Sequence, residues 1–385
     1  MTRTAFAPLR TTLMAAAATA LSAGAALACA VETPVRAATP DGPAWRVIDA
    51  ALAGCGVTTD AANPHIVALD NVTEDEMSRA RALRPLNDLI KAYPGEISDE
   101  RLIKDDWRVV GVVSTVETWH LMYRRDILEA AGIPAPKSYG EMLRVSAQLH
   151  AVNAIETPLA VALEPGDDMA QTFIDVYLGM GGTLFLAGFD ASIYNPRGVA
   201  TLEMFQMMSG YAPGDYMETD AADVEAKLLN GDIAMAMLPS DRAAHVAEKM
   251  GAKIAMTAAP ISGWRSAATV QWTGLGIAAD VTDAEAASAF KAIMGGVNAQ
   301  MAAANPAAAN WLIDGYEPSM PAAAAVRTVR EGALPYPAGP EMALLREAIG
   351  VGIEPYLRGF VDPSAALLDI ELAYKRAAQA KGLIN

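Results

Sequence analysis

Cysteine is almost absent from this 385-residue chain, with Cys29 and Cys55 the only two. Two thiols that far apart do not make a zinc motif. Histidine is nearly as scarce: His65, His120, His150 and His245 are scattered and none shows the H-x-x-x-H spacing of a helical metal site. A lone histidine in an apolar strand, as His120 is, reads as a satisfied core residue. No G-x-S-x-G or Cys/His nucleophile pattern occurs. There is no Walker loop, so this chain does not hydrolyse ATP, and no calcium-loop spacing. Past residue 28 no apolar run is long enough to span a membrane as a helix. Lys and Arg form nothing beyond short pairs, and the formal net charge is −16. That balance argues against nucleic acid and against anionic membrane surfaces as partners. Gly274-Leu275-Gly276-Ile277-Ala278-Ala279 fits G-x-G-x-x-A, but a dinucleotide site needs those glycines to open a helix, and here helix signals begin only at Thr282. The glycines are expected to permit a close backbone approach, to a ligand or at a tight crossing.

What is present is apolar material in quantity. At 52% hydrophobic and 19% charged, the chain can fill a sizeable core, and its length suits two domains. Residues 1–28 read as a signal peptide. Arg3 and Arg10 form a basic start, residues 11–27 an Ala/Leu-rich run, and Ala26-Leu27-Ala28 an A-x-A-like cleavage site. The mature protein is therefore expected to be periplasmic, exported and soluble, or tethered at its N-terminus. Cys29 then has three possible fates. It pairs with Cys55 in an oxidising compartment, it is the lipidated first residue, or it leaves with the leader and Cys55 is a buried apolar side chain.

Along the chain, residues 43–53 read as a helix and 64–70 as a buried strand ending in an acid. Residues 109–116 are β-branched and read as a strand, with Glu117 at its end and 120–123 as further strand. Asp126 is placed to cap a helix that Gly132 ends, and Ser138 with Glu141 forms a capping box for a helix carrying Met142, Leu143, Val145 and Leu149. Residues 158–163 and 233–238 read as strands. Met169 begins a helix, with Asp167-Asp168 as its solvated start. Asn195-Pro196 opens another helix. Gly231 stops the helix begun at residue 221. Residues 270–278 form a strand, Thr282 and Glu285 a second capping box, and helices are expected at 340–357 and from Asp362-Pro363 to 381.

One run carries a resemblance. Glu117 is followed by Tyr123-Arg124-Arg125-Asp126-Ile127, Ala131-Gly132-Ile133, Pro136-Lys137-Ser138-Tyr139 and Glu141. In this order they resemble the inter-lobe crossing of the extracellular solute-binding proteins of bacterial ABC importers, the sugar-binding family that includes maltose-binding protein. Leu83-Arg84-Pro85-Leu86-Asn87-Asp88-Leu89, the double glycine at 181–182 and Leu228-Leu229-Asn230-Gly231-Asp232-Ile233-Ala234-Met235 are similar to further signatures of that family. The resemblance implies a two-lobed α/β periplasmic binding fold (type II) with a ligand cleft between lobes. The lobes would be 31–112 plus 272–315, and 113–271 plus 316–385. It implies a monomeric binding component, not an enzyme, without a cofactor, that delivers a sugar or polyol to permease subunits in the inner membrane.

Hydroxyl-rich ligands need hydrogen-bond acceptors and aromatic faces on loops at strand ends. The candidates are Asp70, Asn71, Glu117, Trp119, Asp241, Arg242, Trp272 and Tyr316. Glu117 sits where the family places a ligand-binding glutamate, and Asp70 matches the acid of an early strand. The chain departs from the family in two places. The helical segment before residue 64 is missing, which leaves a sensor or interaction subunit with altered ligand binding as the alternative reading. Asp241-Arg242 stands where many members carry Trp, which favours a small hydroxyl-rich or charged ligand over a long oligosaccharide.

Overall fold

The computed structural model describes residues 29–384; the expected leader, 1–28, lies outside the described residues. Its strands are β1 (Arg36–Ala38), β2 (Thr58–Thr59), β3 (Ile66–Asp70), β4 (Leu102–Asp105), β5 (Arg108–Arg124), β6 (Leu159–Ala160), β7 (Met235–Pro239), β8 (Ile254–Thr257), β9 (Thr269–Ile277) and β10 (Leu334–Pro335). The chain divides into two compact units. The first holds residues 29–69, Met77–Ser114 and Gly274–Tyr316, and the second Asp70–Glu76, Thr115–Thr273 and residues 317–384. The expected N-terminal segment 31–112 is thus interrupted at Asp70–Glu76, which groups with the second unit.

In the first unit the strand order is β2-β1-β3-β9-β5, with β4 antiparallel on β5 and β1 parallel to both β2 and β3. The helices Pro43–Gly54 and Asp283–Gly296 supply Ile48, Leu52, Ala289 and Ile293 to a core shared with Ile66, Leu275, Ile277 and Trp311. Thr282 and Glu285 close the expected capping box on the second of these helices. Cys29 and Cys55 form a disulfide with Cα atoms 5.1 Å apart. The pair is buried against Gly295 and Gly296; a Cβ on Gly295 would stand 2.5 Å from the Cβ of Cys29.

The G-x-G stretch lies inside β9 and opens no helix. A Cβ on Gly274 would stand 2.5 Å from the Val112 carbonyl oxygen, and one on Gly111 would stand 2.9 Å from that of Leu275. The glycines therefore serve the close approach of β9 to β5.

In the second unit β7 and β8 flank β5, both antiparallel to it, and β6 runs parallel on β7. Alternation along β5 sends Leu121 into a core with Phe173, Tyr177 and Leu345, and Met122 into another with Val224, Leu228 and Val246. The helix Asp167–Gly179 is buried at every position from Met169 onward. Asn195 accepts from the N–H groups of Arg197 and Gly198 at 2.9 and 3.2 Å, and Asp362 from Ala365, as their sequence contexts predict.

Several local expectations change. β5 is one strand of 17 residues, so Glu117 lies in its middle and not at its end. The run from Val109 to Val116 is buried at every position, and the strand continues past it through Glu117, which takes an exposed position. Asp126 does not cap; it holds Arg124 in a two-point pair at 2.8 and 2.7 Å. The helix expected at 340–357 divides into Pro340–Gly352 and Glu354–Leu357, where Gly352 and Pro355 weaken the continuous ladder. His120 is fully buried and, among the described residues, neither ring nitrogen has a hydrogen-bond partner, so it is a core residue but not a satisfied one. Burial alone lowers its pKa to about 4.

Candidate functional site

Within the second unit, Glu117, Thr118 and Trp119 of β5 meet the end of β7 and the short turn Ser240–Arg242 that follows it. Trp119 lies opposite Pro239 in the β5–β7 ladder. The Ser240 hydroxyl donates to Glu117 Oε2 and accepts from the Thr118 N–H at 3.2 Å, which ties the carboxylate to the turn. Thr118 Oγ1 donates to the Thr269 carbonyl of β9 at 2.9 Å. Glu117, Thr118, Trp119, Pro239 and Thr269, together with Gln171, Asp241 and Gln271, line a cavity of about 260 Å³. Three of the eight sequence candidates, Glu117, Trp119 and Asp241, therefore share one site.

The other five have different surroundings. Asp70 Oδ1 accepts from the N–H groups of Val72 and Thr73 at 3.0 and 2.7 Å, satisfying the first turn of the helix Asn71–Arg79. Asn71 uses both ends of its amide on backbone: Nδ2 donates to Val270 O and Tyr336 O, and Oδ1 accepts from Trp272 N–H. Trp272 is itself buried. Arg242 does not pair with its neighbour Asp241. Its Nη1 donates to Glu225 Oε2 at 2.6 Å, and His245 Nδ1 sits 2.5 Å from the other Glu225 oxygen. Burial alone would raise the Glu225 carboxyl, but these two partners hold it below its ordinary value. Tyr316 belongs to the first unit, where it packs beside that unit's core.

Thr118, Gln171, Thr269 and Gln271 were not singled out by any motif. Behind them stands a polar network. Gln171 Nε2 donates to Asp175 Oδ1 at 2.9 Å and to Thr269 Oγ1 at 2.8 Å. Asp175 Oδ1 also receives the Thr269 N–H at 2.7 Å and the Thr269 hydroxyl at 2.8 Å. Arg346 Nη1 donates to Gln171 Oε1 and to the Tyr336 hydroxyl, both at 2.9 Å, and its Nε to Asp167 at 2.8 Å. Burial pushes the Asp175 carboxyl up to about 7, although the Thr269 and Gln171 hydrogen bonds and the Arg346 charge pull the other way. Among the described residues, no group of three or more His, Cys, Asp or Glu side chains could hold a metal ion, and no helix is long and apolar enough to cross a membrane.

This two-unit α/β architecture is that of the two-lobed periplasmic solute-binding proteins. A crystal structure of an ABC transporter solute-binding protein from Agrobacterium radiobacter K84 in complex with ribitol is similar over 90% of this chain and 99% of its own, with a TM-score of 0.62 and 18% identity. The cyclic alpha-maltosyl-1,6-maltose binding protein of Arthrobacter globiformis matches over 90% and 100%, with a TM-score of 0.67 and 16% identity. Maltose-bound T. maritima MalE3 matches over 89% and 99%, at 0.59 and 17%. No curated protein sequence matches the chain. The sequence profile of the bacterial extracellular solute-binding protein family matches residues 14–335, and the chain belongs to that family.

Proposed function

We propose that this protein is the periplasmic substrate-binding component of an ABC importer, that it takes up a small carbohydrate or polyol at the Glu117–Asp241 cavity, and that it acts as a monomer delivering that ligand to a membrane permease. One observation carries this reading: a carboxylate held by Ser240, a second carboxylate and an indole face converge on one cavity. Carboxylates accept from paired hydroxyls and an indole covers the C–H face of a ring, the two chemistries a polyhydroxylated ligand requires. The cavity is smaller than the roughly 300–1,000 Å³ of most small-molecule pockets, which favours a ligand of one or two sugar units. Neighbours with this fold are described with ribitol, maltose and alpha-D-tagatose.

The test is a thermal-shift screen of sugars, polyols, sugar acids and amines. A ligand at 100 times its dissociation constant stabilises by roughly 2.7 kcal/mol. Glu117→Ala should abolish the shift and leave the unliganded melting temperature nearly unchanged. A ligand shift that survives in Glu117→Ala refutes the role of this carboxylate. A screen in which nothing shifts the protein favours the sensor or interaction reading.

A further inference from the structure

Each polar side chain behind the cavity wall is locked in one hydrogen-bonding direction. Gln171 Nε2 has two hydrogens, and both are committed, to Asp175 Oδ1 and Thr269 Oγ1. Its Oε1 already accepts from Arg346, a donor-only group. Reversing the amide would set Nε2 against the guanidinium and Oε1 against a carboxylate. The Thr269 hydroxyl has one hydrogen, and Asp175 takes it. The hydrogen-bonding capacity left to Gln171 and Thr269 at the cavity is therefore acceptor capacity alone. Glu117 and Asp241 are also acceptors, and no Lys or Arg lines the cavity. Among the lining side chains, the uncommitted donors are the Trp119 indole N–H and the Gln271 amide.

We propose that Asp175 is a positioning residue for ligand selection: by holding Gln171 and Thr269 as acceptors, it tunes the cavity to ligands that arrive with donors, neutral polyols or aminated sugars, and against carboxylated ones. The proposal rests on the reading of this cavity as the ligand site. Protonating Asp175 would weaken Oδ1 as the acceptor of the Thr269 hydroxyl and the Gln171 amide and loosen its hold on Thr269, while Arg346 still fixes Gln171, so binding weakens as the carboxyl is titrated. The groups that act on Asp175 are Arg346 from the helix Pro340–Gly352, Tyr139 at the start of Tyr139–Ala151, and Tyr336 after β10, with Asp167 behind Arg346. Both tyrosines are raised by burial and stay neutral across the range of interest, which leaves the Asp175 carboxyl as the group that changes.

The experiment is isothermal titration calorimetry of the wild-type protein and of Asp175→Asn with ribitol, D-galactose, maltose, D-glucosamine and D-glucuronate between pH 5.5 and 8.5. The wild type should bind at least one of the first four and bind D-glucuronate tenfold or more weakly. Its affinity should fall about tenfold from pH 8 to pH 6. Asp175→Asn should bind at least tenfold more weakly at pH 8 and lose that pH dependence. If the wild type binds none of the five, the sugar reading of the cavity falls, and this inference with it. If it binds but prefers D-glucuronate, or Asp175→Asn keeps both affinity and pH profile, the positioning role is overturned and the sugar reading stands. Should Asp175→Asn fail to fold, the wild type alone decides: carboxyl-carbon NMR locates the Asp175 midpoint, and an affinity that does not change through it overturns the proposal.

Discussion

The Trp272 backbone N–H donates to Asn71 Oδ1 at 3.0 Å, and the same asparagine donates through Nδ2 to Val270 O and Tyr336 O. One buried amide thus stitches three backbone groups of the second unit together, at sequence separations of 199, 201 and 265. Both residues were ligand candidates on sequence grounds. Their mutual bond gives Asn71 a structural task instead. Asn71→Ala leaves those groups without this partner and should destabilise by about 2–4 kcal/mol, at a cost of about 1 kcal/mol or more per lost buried bond. Urea denaturation would show a lower midpoint with an unchanged slope.

His120 sets an acid limit. Its folded pKa of about 4 lies below the ordinary 6.5, so the unfolded chain binds the proton first. Stability from the neutral ring is complete above about pH 6.5 and declines as pH falls toward 4. Relative to His120→Met, wild type should lose about 2 kcal/mol between pH 7.5 and pH 5. Parallel denaturation curves at the two pH values measure this difference.

Asp175 has the opposite sign. Its carboxyl is raised to about 7 from 3.8, so the folded state holds its proton while the unfolded chain has released it. Its contribution is complete below about pH 4 and declines, by up to about 1.4 kcal/mol per pH unit, as pH rises to 7. The stability difference between wild type and Asp175→Asn should follow that slope and flatten above pH 7. Affinity, by the inference above, rises over the same range, so stability and binding should move in opposite directions.

The disulfide between Cys29 and Cys55 closes a loop with a sequence separation of 26. On a chain-entropy basis a loop of that length contributes about 3.5 kcal/mol through the unfolded state. Cys29→Ala/Cys55→Ala should lower the denaturation midpoint accordingly. It should leave ligand affinity unchanged, because the bridge belongs to the first unit and the Glu117 cavity to the second.

Much of the fold was determined by the sequence alone, and for a local reason. Caps and periodicities act within a few residues: Asn195 on Arg197, Thr282 with Glu285, and Asp362 on Ala365 all follow from neighbours in the chain. The ordered run from Glu117 to Glu141 was equally legible, and it carried the family. Tertiary structure decided the hydrogen bonds that cross the chain. Nothing near Gln171 announces Thr269, 98 residues away, and nothing near Asn71 announces Tyr336. Burial also decided chemistry that composition leaves open: it lowers the pKa of His120, which has no hydrogen-bond partner among the described residues, and raises that of Asp175. It was likewise only in three dimensions that Arg242 turned to Glu225, leaving Asp241 on the cavity wall beside Glu117 and Trp119. An amide or carboxylate chooses its partner by proximity in space, and a linear sequence does not record that distance.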